Sequence, residues 1–148
     1  RISQRMINKT AYPLTGPIAQ KGVFAGPLAF SNAVRVRGCD FLFVSGQLAF
    51  DDKMNIVGVG DMEAQTRQVL KNVGKVLKVG GATFADVVRV QVFVTDLQNF
   101  RAVHDVRLEY FDSDQLPAST LVQVAGLAHE DALIEIDAVA AINPDSVL

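Results

Sequence analysis

The chain has 148 residues, 49% of them hydrophobic, with a formal net charge of −2 and a pI of about 5.6. That size suits one domain with a core of its own. Lys and Arg read as scattered along an acidic chain, which argues against the basic face of a nucleic-acid binder. The one cysteine, Cys39, excludes an intrachain disulfide and a multi-cysteine metal site and fits a reducing cytoplasm.

Residues 1–25 read as an irregular lead-in, broken by Pro13, Gly16, Pro17 and Gly22, ahead of a single domain over 26–148. The first strands are expected at Ser31–Val36 and Phe41–Gln47, turned around Arg37-Gly38-Cys39-Asp40. Phe41-Leu42-Phe43-Val44 is apolar on both faces, as in a strand covered on both sides. Asp51 to Asn55 is a polar turn. A helix then starts near Asp61, its expected N-cap, with Met62, Thr66, Val69, Leu70, Val73, Val76 and Leu77 as one buried stripe. Gly80-Gly81 stops it.

Val88, Val90, Val92 and Val94 alternate with Arg89, Gln91 and Phe93, a period-two strand. Asp96 is expected to cap a second helix whose Phe100, Val103, Val106 and Tyr110 point inward. Strands Ser119–Ala125 and Leu133–Ile142 follow, joined by the loop Gly126 to Asp131. This order predicts an α+β sandwich, one mixed β-sheet with both helices packed on one face. Mean hydropathy is +0.24, yet no apolar run reaches the roughly 18 residues of a membrane helix, and none reads as a signal-peptide core. The uncovered sheet face is therefore expected to meet a neighbouring subunit.

On the last strand Glu135 and Asp137 share one face with Leu133 and Val139. Desolvation and mutual repulsion would raise at least one of their pKa values, giving a carboxyl usable as acid or base near neutral pH; a wet face or pairing with Lys or Arg is the plainer alternative. Ser119, Leu121 and Gln123 share a face of the preceding strand, and a hairpin would set Ser119 or Leu121 beside Glu135. No nucleophile elbow surrounds Ser119, so its hydroxyl reads as structural or ligand-bonding. His104 and Arg107 share a helix face that reads as solvated. His104 and His129 lack ligand spacing for a metal, and Val-Gly-Val-Gly at 57–60 is no phosphate loop.

Several segments together carry a resemblance. Phe41-Leu42-Phe43-Val44-Ser45-Gly46-Gln47, Glu63 to Asn72, Val92-Phe93-Val94-Thr95-Asp96-Leu97, His104 to Phe111, Pro117 to Leu127 and Leu133 to Ala140 follow one another in order. The chain resembles the reactive-intermediate deaminases, the Rid or YjgF family, also labelled endoribonuclease L-PSP. The likeness implies a chorismate-mutase-like sandwich, a homotrimer with clefts between subunits, no cofactor, and hydrolysis of enamines or imines to a ketone and ammonia.

Carried over residue by residue, Glu135 matches the glutamate that holds the attacking water. Gly46 matches a glycine whose backbone faces the ligand, and Leu121 a position whose amide faces the cleft. Phe30 takes the place of a cleft tyrosine and His104 that of an asparagine. Ser119 replaces the arginine that clamps a substrate carboxylate, a contact worth about 1.5–3 kcal/mol against roughly 0.5–1.5 for a neutral hydroxyl. Arg107 and His104 are the nearest candidates to restore the charge. The resemblance thus implies a hydrolase of some imine or enamine other than 2-aminoacrylate, while spacing, charge and hydropathy point to no metal, nucleic-acid or membrane partner; the alternative is a non-catalytic small-molecule-binding trimer.

Overall fold

The period-two valines build the centre of the sheet. In the computed structural model, which describes residues 8–12 and 29–145, Val87–Val94 is a strand whose Val90, Val92 and Val94 are buried while Arg89, Gln91 and Phe93 face the other way. With Asn8–Tyr12 as β1, Ala33–Arg37 as β2 and Asp40–Gln47 as β3, this strand is β4; Ala118–Gln123 is β5 and Ile134–Ile142 is β6. The main sheet runs β3-β6-β4-β5, antiparallel except for the β4/β5 pair. Its helices are α1 at Met62–Val79 and α2 at Phe100–Tyr110.

β3-α1-β4 and β4-α2-β5 are both crossovers between parallel strands, which need an intervening helix. The last strand then inserts between β3 and β4. It is suited to the centre because Ile134, Ile136, Ala138 and Ala140 are all at most 2% exposed. The expected β5/β6 hairpin is therefore not formed: β5 pairs with β4 and β6 lies on the far side of β4.

α1 begins where Asp61 accepts a hydrogen bond from Ala64 N at 3.0 Å, satisfying one of the four free amides of a helix start. Its stripe of Met62, Thr66, Val69, Leu70, Val73 and Leu77 is buried as predicted, and Gln65 joins it. Gly81, at φ +78°, turns the chain after the helix. Before α2, Asp96 caps a single 3-10 turn at Leu97–Asn99 rather than the helix itself. The inner face of α2 is Val103, His104, Val106 and Arg107. Burial of His104 and Arg107 corrects the solvated face read from their polarity. The core lies between these helices and the sheet.

β1 lies inside the segment read as irregular and pairs antiparallel with β2, so β2 forms a separate ribbon instead of a ladder with β3. The other lead-in breakers lie outside the described residues. Ser31 links the ribbon to β5, its N–H donating to Pro117 O at 2.8 Å and its hydroxyl to Leu116 O at 2.6 Å. On the sheet face away from the helices, Phe41 and Phe43 are 54% and 73% exposed.

Candidate functional site

Strand alternation sends Glu135 to the sheet face opposite the helices, across from Phe93 on β4. On its other side β3 loses register with β6 between Val44 and Gln47. That irregularity carries Gly46 against the Glu135 carboxyl: a Cβ on Gly46 would overlap Oε1 and lie 2.8 Å from Cδ. The structure thus brings together two of the sequence-predicted site residues. They line a groove of about 380 Å3 with Leu48, Phe50, Asp51, Met54 and Ala128. Gly46→Ala is expected to displace the carboxyl and lower kcat/KM at least about a hundredfold, since an ångström of misplacement costs that much. Steady-state kinetics beside a melting curve checks it, and an unaltered rate would contradict this geometry.

Two amides of α1 hold the groove wall, and a third holds the chain leading to Glu135. Asn72 Nδ2 donates to Leu48 O and Phe50 O, both at 2.9 Å, and Gln68 Nε2 donates to Phe50 O at 3.0 Å. Gln65, fully buried, donates to Asp131 O at 2.8 Å and Gly58 O at 3.2 Å and accepts from Leu133 N at 2.8 Å. It fixes the chain immediately before Glu135. The sequence reading missed these residues as supports, and a polar side chain within an apolar stripe was the available signal. His129 Nδ1 accepts from Asp131 N at 3.1 Å, and its ring meets Phe50 edge-on at 5.8 Å. Met54, at the groove, holds a left-handed φ of 63°, the kind of local strain that clusters at ligand sites.

Asp137 belongs to a separate arrangement on the same face. With its amide oriented to suit both neighbours, Gln91 donates to Asp137 Oδ2 at 3.0 Å and accepts from Arg89 Nη2 at 3.1 Å. Burial pushes the Asp137 carboxyl above its ordinary range, with Gln91 and Arg89 acting in the opposite sense. The expectation of a raised pKa in the carboxylate pair is met here, through desolvation, and Asp137 reaches Arg89 through Gln91.

Phe30, His104 and Arg107 form another cluster, under the helix. Arg107 is 1% exposed and donates from Nη2 to Ala29 O at 2.9 Å, and its Nη1 is buried without a hydrogen-bond partner. Burial lowers its pKa to about 10, so it stays cationic at neutral pH. His104 is 3% exposed; its Nδ1 accepts from Ala29 N at 3.3 Å and its ring lies 6.1 Å from Phe30. Ser119 and Leu121 pair with Val90 and Val92 and so point to the helix side of the edge strand. Leu121 packs on the core. Within one chain Ser119 and Glu135 are therefore on opposite faces, two strands apart.

Burial, reinforced by the positive charges of Arg107 and Arg101, lowers the His104 pKa from 6.5 to about 4. The folded state then holds the neutral ring while the unfolded chain takes up a proton, so stability is lost as pH falls from about 6.5 to about 4. Urea midpoints of wild type and His104→Gln are expected to diverge less at low pH than at neutral pH; a constant difference would contradict the shift.

Among the described residues no group of three His, Cys, Asp or Glu could hold a metal ion, and no described helix is long and apolar enough to cross a membrane. The model of the Endoribonuclease L-PSP family matches residues 25–142. The chain belongs to this family, the YjgF/Rid proteins. It is similar to a RutC family protein of Synechocystis sp., 42% identical over 123 residues that make up 82% of this chain and 91% of the relative. Among solved structures, the Rid family protein YyfB from Yersinia pestis matches with a TM-score of 0.77 and 32% identity, over 91% of this chain and 99% of that one. RidA from an Antarctic Psychrobacter matches with a TM-score of 0.65 and 31% identity, over 80% and 92%. These neighbours share the Rid fold of two helices on a mixed four-stranded sheet.

Proposed function

We propose that this Rid protein hydrolyses an imine or enamine in a cleft between the protomers of a cytoplasmic homotrimer, with no cofactor. One observation carries the reading: the Glu135 carboxyl rests on the bare backbone of Gly46 in an open groove. A carboxylate there can take a proton from water as the oxygen adds to the C=N carbon. Returned to nitrogen, that proton gives a tetrahedral carbinolamine; the carboxylate then takes the proton of its hydroxyl and passes it to the amine, so that the C–N bond breaks to give carbonyl and ammonia. An enamine enters after tautomerising to the imine.

The opposite placement of Ser119 and Glu135 favours a shared cleft. A copy presenting its β5 edge to the Glu135 groove of the next copy would join the two half-sites, and exposed Phe41 and Phe43 supply apolar surface for such contacts. Phe30, His104, Ser119 and Leu121 would then belong to the β5 side, Gly46 and Glu135 to the other. Arg107 would act from beneath, holding Ala29 next to Phe30, instead of clamping a substrate carboxylate.

That burial also favours the second reading, a trimer that binds a small molecule without chemistry. Ammonia release from freshly generated imines, some with and some without an α-carboxylate, separates the two. Turnover by wild type, strongest without the carboxylate, supports the hydrolase. Turnover seen only with Ser119→Arg would support the binder.

A further inference from the structure

The N-terminal ribbon carries a polar groove that this chemistry does not use. Register sets Asn8 opposite Arg37, Thr10 opposite Arg35 and Tyr12 opposite Ala33, so Asn8, Thr10, Tyr12, Arg35 and Arg37 share one face. Those five residues line a groove of about 200 Å3. The other face is tied down: Lys9 Nζ donates to Ala85 O at 2.9 Å and Val87 O at 3.2 Å, and Val34 and Val36 are half-buried.

Arg35 and Arg37, two residues apart on one strand face, have Cα atoms about 7 Å apart, and their like charges repel. Among the described residues neither takes part in an ion pair. The lead-in cannot supply an acidic side chain either. The first 39 residues hold six Lys and Arg and no Asp or Glu, which leaves eight against sixteen for the other 109. Charge is thus partitioned along the chain, a correction to the scattered distribution read from the whole sequence. Such asymmetry points to an anionic partner.

We propose that the ribbon groove binds the phosphate group of a small phosphomonoester. The two guanidiniums fork onto the dianion, and the Tyr12 and Thr10 hydroxyls and the Asn8 amide donate to the remaining oxygens. The acidic balance of the whole chain, with a pI of about 5.6, favours a small ligand over a nucleic acid. At about 200 Å3 the groove holds one phosphate and a few attached atoms, below the roughly 300 Å3 at which pockets for larger ligands begin. The paired charge of Arg35 and Arg37 draws such an anion towards the groove. This site does not depend on the imine reading.

Calorimetric titration of the full chain with inorganic phosphate and glycerol phosphate tests it, with glycerol and a short single-stranded RNA as comparisons. Phosphate and glycerol phosphate are expected to bind below about 10 mM and glycerol not at all, with Arg35→Gln and Arg37→Gln each weakening binding roughly tenfold. Thr10→Val, which removes only a hydroxyl, is expected to weaken it about threefold. Melting curves confirm that each variant folds. Phosphate binding that is absent, or equal in wild type and the Arg35→Gln/Arg37→Gln double variant, overturns the proposal. So does RNA binding that is tighter than glycerol phosphate and equally sensitive to the two arginines.

Discussion

Glu135→Gln is expected to lower kcat for imine hydrolysis by about 10²–10⁴, the usual contribution of a positioned general base. The amide keeps the shape of the side chain and its contact with Gly46, but it cannot accept a proton from water. KM should change little, because the substitution leaves the groove lined by the same surface. Single-turnover ammonia release beside a binding titration makes the distinction. A kcat within a factor of about three of wild type would remove Glu135 from the chemistry.

Gln65→Leu is expected to be the most damaging change to stability outside the apolar core. Gln65 is fully buried and satisfies Gly58 O, Asp131 O and Leu133 N. A leucine would fill the space and leave two backbone groups, Asp131 O and Leu133 N, without partners, since Gly58 O keeps its bond from Asp61 N at 2.8 Å. Each orphaned group costs about 1–3 kcal/mol, so a loss of about 2–4 kcal/mol is expected after partial rehydration at the loops. The same change should lower activity in molecules that remain folded, since Leu133 leads directly into the strand that carries Glu135. Urea unfolding monitored by far-UV circular dichroism gives the first quantity. A loss below about 1 kcal/mol would mean that water replaces the amide.

Whatever was local in the sequence was legible. The α1 stripe, the Asp61 cap and the alternation of β4 depend on spacing within one element, and they appear where periodicity put them. The place of β5 depended on a choice between β4 and β6, and spacing does not encode that choice. The parallel pair forms because α2 returns the chain to run alongside β4. β1 escaped notice because Asn8 to Tyr12 has no apolar alternation of its own and is held by β2 and Lys9.

The site was legible in part for the same reason. Parity put Glu135 and Asp137 on one sheet face, and the resemblance added Gly46; the contact between Glu135 and Gly46 comes from a register break invisible in either strand alone. Polarity misled on α2. His104 and Arg107 look like solvent-facing residues, yet the turn they share with Val103 and Val106 points into the core, where Ala29 supplies hydrogen-bond partners to both.

A shared cleft requires Glu135 of one protomer to meet the Ser119 strand of another, and mixed oligomers test that most directly. Protomers carrying Glu135→Gln and protomers carrying Ser119→Trp are each expected to be inactive alone. Co-assembled, they should regain roughly a quarter of wild-type ammonia release, because about one cleft in four then combines an intact Glu135 with an intact Ser119. Mixed oligomers that stay inactive would contradict a shared site.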